Sequence, residues 1–171
     1  MTIPNALSLL RIAAIPLFAY FLLTQEARCA YIAAGIFAVL VLTDAVDGYL
    51  ARRLNAVTTF GKYVDPLADK ILVITALIAL VELGKVSSVP VAIIAAREFA
   101  VTAFRLAAVE KGKVIAANLL GKTKTVTQMA AVFFLILGWP YGEVLLWAAA
   151  ALTILSGAAY IYKAWGEVFG S

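Results

Sequence analysis

Four aspartates stand out in a stretch where little else is charged. Asp44 and Asp47 are spaced i, i+3, and Asp65 and Asp69 are spaced i, i+4. Either interval brings both carboxylates to one face of a helix. Like charges held that close repel unless protons or cations neutralise them. Two such pairs brought together would form an all-oxygen ligand set, the kind that suits Mg2+ or Mn2+ shared with substrate phosphates. Gly48 follows Asp44 by one turn, and Ala51 follows Asp47 by one turn. The stripe beside the carboxylates is therefore nearly bare, and a large group could lie against the backbone there. Arg52, one turn beyond Gly48, is placed to meet an anion. Taken alone, Gly48 and Ala51 would serve equally as helix–helix contacts, and Arg52 as an interfacial anchor.

A second, basic constellation follows. Arg97 and Arg105 are eight residues apart, close to two helical turns, so they share a face. Lys122 and Lys124 come next, with Gln128 one turn further on. Guanidinium forks with lysines at the start of the next helix would cage a phosphate dianion, and Glu98 is placed to offset one arginine. The plain alternatives are a structural Arg97–Glu98 ion pair and two anchoring lysines. The chain has no histidine, so histidine metal sites and histidine acid–base chemistry are excluded. The single cysteine, Cys29, allows no intrachain disulfide and is read as packing.

These residues must be carried by membrane helices. Of 171 residues, 64% are hydrophobic and 14% charged, with a mean hydropathy of +0.99, far too little charge for a dispersed soluble domain. The apolar blocks, with their flanks, reach the ~20 residues that cross a bilayer core. Six spans are expected, near 6–23, 30–50, 63–83, 89–109, 124–138 and 144–164, forming one all-α polytopic domain over residues 1–171. The opening lacks the pattern of a cleaved signal, so the first helix is expected to be retained. Alternate connections and the final span end hold Arg52, Arg53, Lys62, Lys111, Lys113, Lys122, Lys124 and Lys163, against Arg28 and Lys85 on the other side. Both termini and the active site are therefore expected to face the cytoplasm. Trp139, Tyr141, Trp147, Tyr160, Tyr162 and Trp165 cluster towards span ends and read as an interfacial belt. The net charge of +4 fits anionic lipid or phosphorylated substrates, and charges this few make a nucleic-acid partner an unsuitable reading.

Residues 44–69 read D-A-V-D-G-Y-L-A-R, eight residues, then G-K-Y-V-D-P-L-A-D. This resembles the signature of the CDP-alcohol phosphatidyltransferase family, D-x2-D-G-x2-A-R-x8-G-x3-D-x3-D, with every fixed position present. The resemblance implies six transmembrane helices, usually in a homodimer, that move a phosphatidyl group from CDP-diacylglycerol to an alcohol and release CMP. It also implies that Asp44, Asp47, Asp65 and Asp69 ligate Mg2+ or Mn2+, two ions in all, with Asp69 also the base. Gly48, Ala51, Arg52, Thr58 and Gly61 would bind CDP-diacylglycerol. The stretches A-R-E-F-x-V-T-x-x-R and G-K-x-K-T-x-x-Q, with the opening I-P-N-A-L-S-x-L-R, look like the family's bacterial phosphatidylglycerophosphate synthase branch. That likeness implies sn-glycerol 3-phosphate as acceptor, its phosphate held by Arg97, Arg105, Lys122 and Lys124, with Asn5 and Ser8 near the nucleotide. Inositol phosphate or phosphatidylglycerol are the alternative acceptors. A cation carrier would use intramembrane carboxylates too, but gives no reason for Gly48, Ala51, Arg52 and Gly61. A structural subunit with ion-paired helices is a third reading.

Overall fold

In the computed structural model, residues 3–53, 59–110 and 119–168 are described; for 3–8, 45–53, 59–69, 110 and 163–168 the description is of the backbone alone. The described residues form six helices and no strand: α1 (Ile3–Leu23), α2 (Ala27–Arg53), α3 (Thr59–Glu82), α4 (Ser88–Glu110), α5 (Leu119–Ile136) and α6 (Gly142–Val168). Each expected span lies on one of these, and the all-α reading holds. The ends differ most at α5, which begins at Leu119 because Leu119–Thr123 extends the helix on its N-terminal side.

Among the described residues, three helices contain an uninterrupted stretch long and apolar enough to cross a bilayer: Ala27–Asp44, Leu119–Ile136 and Gly142–Tyr162, with a shorter apolar stretch at Leu9–Leu23. In α4 the interruption is charge itself, from Arg97, Glu98 and Arg105. Leu10, Leu17, Tyr31, Val39 and Leu42 are all more than half exposed, as side chains facing lipid tails are. This is a multi-pass membrane protein.

Two compact units make up the chain. The first contains Met1–Val86 and Val132–Pro140. In it α1 packs against both α2 and α3. Phe18 and Phe37 meet across α1 and α2 with ring centroids 5.9 Å apart, while Leu72, Ala76, Leu77 and Leu80 supply the buried stripe of α3 at helical spacing. The helices end here on glycines in left-handed backbone, Gly84 (φ 65°) and Gly138 (φ 71°). At Gly138 the amide donates to the Leu135 carbonyl (3.1 Å) and the Trp139 amide to that of Phe134 (3.0 Å). Trp139 then stacks on Phe134 at 4.9 Å, which completes a Schellman cap with its apolar clasp. The second unit contains Ser87–Ala131 and Tyr141–Ser171. There α4 packs on α6, with Val101, Ala108 and Tyr160 buried together and Phe104 against them.

Candidate active site

In the first unit, α2 carries Asp44 and Asp47 one turn apart and α3 carries Asp65 and Asp69, and α1 packs against both helices. The Asp44 side chain is described. It is 33% exposed, and its Oδ1 accepts a hydrogen bond from Nη1 of Arg11 at 2.5 Å; Arg11 itself is only 2% exposed. A buried guanidinium on α1 thus holds one carboxylate of the acidic group. The side chains of Asp47, Asp65 and Asp69 lie outside the described residues, as do those of Asn5, Ser8, Gly48, Ala51, Arg52 and Gly61, whose helical backbone is described; Thr58 lies outside altogether. Among the described residues there is no group of three metal-ligating side chains, and only one of the four aspartates counts towards such a group.

The second unit holds a connected polar cluster inside apolar helices. Glu98, 7% exposed, accepts from Arg97 Nη1 at 3.3 Å and from the ammonium of Lys124, which is itself 3% exposed. Glu98 therefore offsets one arginine, as expected, and a lysine too. Arg97 Nη2 donates to Ser156 Oγ on α6 at 3.1 Å. One turn after Ser156, the ring of Tyr160 lies under the Arg105 guanidinium, 5.8 Å from centroid to Cζ, a cation–π contact. Arg97 and Lys124 share the one carboxylate, and Arg105 stands about two turns further along α4, so this helix pair carries more positive than negative charge. Several buried polar atoms in this unit have no protein partner: Nε of Arg97, Nε of Arg105, the hydroxyl of Tyr160 and Oε1 of Gln128. The three donors among them, beside surplus positive charge, are what a phosphate dianion satisfies, while Gln128 Oε1 is an acceptor and needs a hydroxyl or water. Lys122 is exposed; two residues from Lys124, it points to the other side of α5, away from this cluster.

The sequence pattern of the CDP-alcohol phosphatidyltransferases matches residues 1–155. The chain belongs to that family. Its relatives include proteins named CDP-diacylglycerol–glycerol-3-phosphate 3-phosphatidyltransferase from three bacteria. The one from Bacillus subtilis is 42% identical over 95% of this chain and 95% of its own length. That from Rickettsia bellii is 39% identical over 98% and 97%, and that from Wigglesworthia glossinidia brevipalpis 34% identical over 99% and 98%.

For a CDP-alcohol phosphatidyltransferase, the described candidate ligand is Asp44, a carboxylate of the kind that suits hard divalent cations, partly accessible and held on one side by Arg11. Three contributors went unassigned in the sequence. Arg11 sits in an apolar helix, where an arginine needs a partner, so the rule that flagged the aspartates would have flagged it. Tyr160 was expected in the interfacial belt; it is 5% exposed and packs under Arg105 instead, because its position on α6 faces α4. Trp139, Tyr141, Trp147 and Tyr162 are exposed, as belt residues are; the Trp165 side chain lies outside the described residues. Ser156 carries no signal at all, being one small residue among many in an apolar helix.

Proposed function

We propose that this chain transfers the phosphatidyl group of CDP-diacylglycerol to sn-glycerol 3-phosphate, giving phosphatidylglycerol phosphate and CMP. The observation that carries the choice of acceptor is the buried Glu98–Lys124 pair with half-buried Arg97 on the same carboxylate and half-buried Arg105 about two turns along α4, with orphaned guanidinium and phenol donors beside them. An acceptor with a phosphate dianion supplies both the missing charge and the missing hydrogen bonds. The names of the relatives agree with that choice.

In this reading Arg97 and Arg105 bind the acceptor phosphate, Lys124 and Glu98 hold Arg97 in place, and Lys122 adds attraction from its exposed side. Asp44, Asp47, Asp65 and Asp69 hold divalent metal, two ions of Mg2+ or Mn2+. Bound there, the metal offsets the charge of the pyrophosphate and of the departing CMP. Arg11 fixes Asp44. Asn5, Ser8, Gly48, Ala51, Arg52, Thr58 and Gly61 bind the CDP-diacylglycerol head, the small residues allowing it close to the backbone and Arg52 pairing with an anionic oxygen. Asp69 takes the proton from the acceptor hydroxyl. That oxygen bonds to the lipid-side phosphorus as the bridging oxygen leaves with CMP, and the proton passes on to water. The single domain over 1–171 works as a homodimer in the cytoplasmic membrane, termini and active site towards the cytoplasm.

The experiment is an acceptor panel. Purified chain receives CDP-diacylglycerol, Mg2+ or Mn2+, and in turn sn-glycerol 3-phosphate, inositol phosphate and phosphatidylglycerol. The expected outcome is CMP release with the first alone; turnover with either of the others in its place overturns the choice of acceptor.

A further inference from the structure

The two arginines of α4 do not hold themselves in position. Arg97 reaches α6, where Ser156 Oγ accepts from its Nη2 at 3.1 Å, and Ser156 is fully buried. The next residue, Gly157, lies directly under the arginine stem. A Cβ built on Gly157 would stand 3.0 Å from Arg97 Cγ, 3.3 Å from its Nε and 3.7 Å from its Cδ. That Nε is one of the orphaned donors, so the missing side chain leaves room for the part of Arg97 that still has a bond to give. Gly157 has no need of glycine for its backbone conformation, since only Gly84 and Gly138 are left-handed among the described residues. One turn beyond Ser156, Tyr160 supports the guanidinium of Arg105.

We propose that α6 sets acceptor specificity through Ser156, Gly157 and Tyr160, a shelf that positions Arg97 and Arg105 for the phosphate of the acceptor. Ser156 fixes the far end of Arg97, Gly157 admits its stem, and Tyr160 carries Arg105. Ser156 and Gly157 act through Arg97 and do not touch the acceptor, while Tyr160 carries Arg105 and keeps its hydroxyl free to donate to the phosphate. The shelf is local, within the one helix pair of α4 and α6, so its effect is expected on acceptor binding. A larger residue at Gly157 lifts Arg97 off α6, which opens the pocket to a different spacing between the two guanidinium groups. This inference rests on the reading of Arg97 and Arg105 as acceptor ligands.

The test compares wild type with Gly157→Ala and Ser156→Ala in micelles, measuring CMP release while either substrate is varied, together with direct calorimetric titration of sn-glycerol 3-phosphate. Gly157→Ala is expected to raise the KM for sn-glycerol 3-phosphate about tenfold, since Arg97 shifts by less than the ~1 Å misplacement that costs up to ~100-fold. The KM for CDP-diacylglycerol and the kcat at saturating acceptor stay within twofold of wild type, about the noise of such a comparison. Ser156→Ala, which loses a bond to a charged donor, is expected to show a similar split. It is the smaller change, and it decides the matter if Gly157→Ala does not fold. Equal rises in both KM values, a loss confined to kcat, or unchanged acceptor binding would overturn the shelf. Wild type that neither binds nor turns over sn-glycerol 3-phosphate would instead overturn the proposed function beneath it.

Discussion

Glu98 is a single acid shared by two cations inside the second unit, and that sharing makes a quantitative prediction. Its side chain is 9% exposed and that of Lys124 4%, with Arg97 Nη1 at 3.3 Å on the other side. Breaking a buried pair by neutralising one member costs ~3–5 kcal/mol, because the other charge stays buried without its counter-charge. Glu98→Gln keeps the volume while taking the carboxylate from both cations, so it belongs at the upper end of that range. Lys124→Met leaves Glu98 still paired with Arg97 and belongs at the lower end. The double variant removes the acid together with one of its cations, so its cost should fall short of the two single costs added, by ~1–3 kcal/mol. The assay is reversible unfolding of all four proteins in mixed micelles, with acceptor KM measured alongside. Single costs that add to within ~0.5 kcal/mol would mean that the two residues do not depend on each other. The account of the cluster as one electrostatic unit would then be wrong.

Three further outcomes are expected. Arg105→Ala raises the KM for sn-glycerol 3-phosphate far more than that for CDP-diacylglycerol; steady-state kinetics with each substrate varied checks this, and equal effects would move Arg105 out of the acceptor pocket. Asp44→Asn removes the carboxylate from buried Arg11, so unfolding should show a loss of ~1.5–3 kcal/mol, the worth of a charged hydrogen bond, together with loss of CMP release; unchanged stability would contradict the Arg11–Asp44 pairing as a structural link. Gly138→Ala puts a side chain on left-handed backbone, at a cost of ~1–2 kcal/mol, and should lower the melting temperature while both KM values hold; a shifted KM would mean that the α5 cap reaches the chemistry.

Much of this was legible in the sequence because the membrane makes charge conspicuous. A charge in an apolar helix must have a purpose or a partner, so Asp44, Arg97, Arg105 and Glu98 identified themselves, and the apolar blocks outlined all six helices. What escaped was partnership across helices. Arg11 and Asp44 are 33 positions apart, and Arg97 and Ser156 are 59; no local spacing relates them. Tyr160 was misread for the same reason. Its place near a span end suits an interfacial ring, and only the packing of α6 on α4 turns it inward under Arg105. Gly157 is the extreme case, since its contribution is an absent side chain and its value depends wholly on the arginine above it. The caps at Gly84 and Gly138 fall at the ends of the expected spans 63–83 and 124–138, while the Trp139–Phe134 stack that closes one of them was not visible, because belt and cap make the same use of a tryptophan at a helix end.

The most direct measurement is CMP release from CDP-diacylglycerol and sn-glycerol 3-phosphate with Mg2+ or Mn2+ present, by wild type and by Asp69→Asn purified in parallel and matched for helical content. The account predicts release by wild type, dependent on both the acceptor and the cation, and none by Asp69→Asn. Release by Asp69→Asn at the wild-type rate would contradict it.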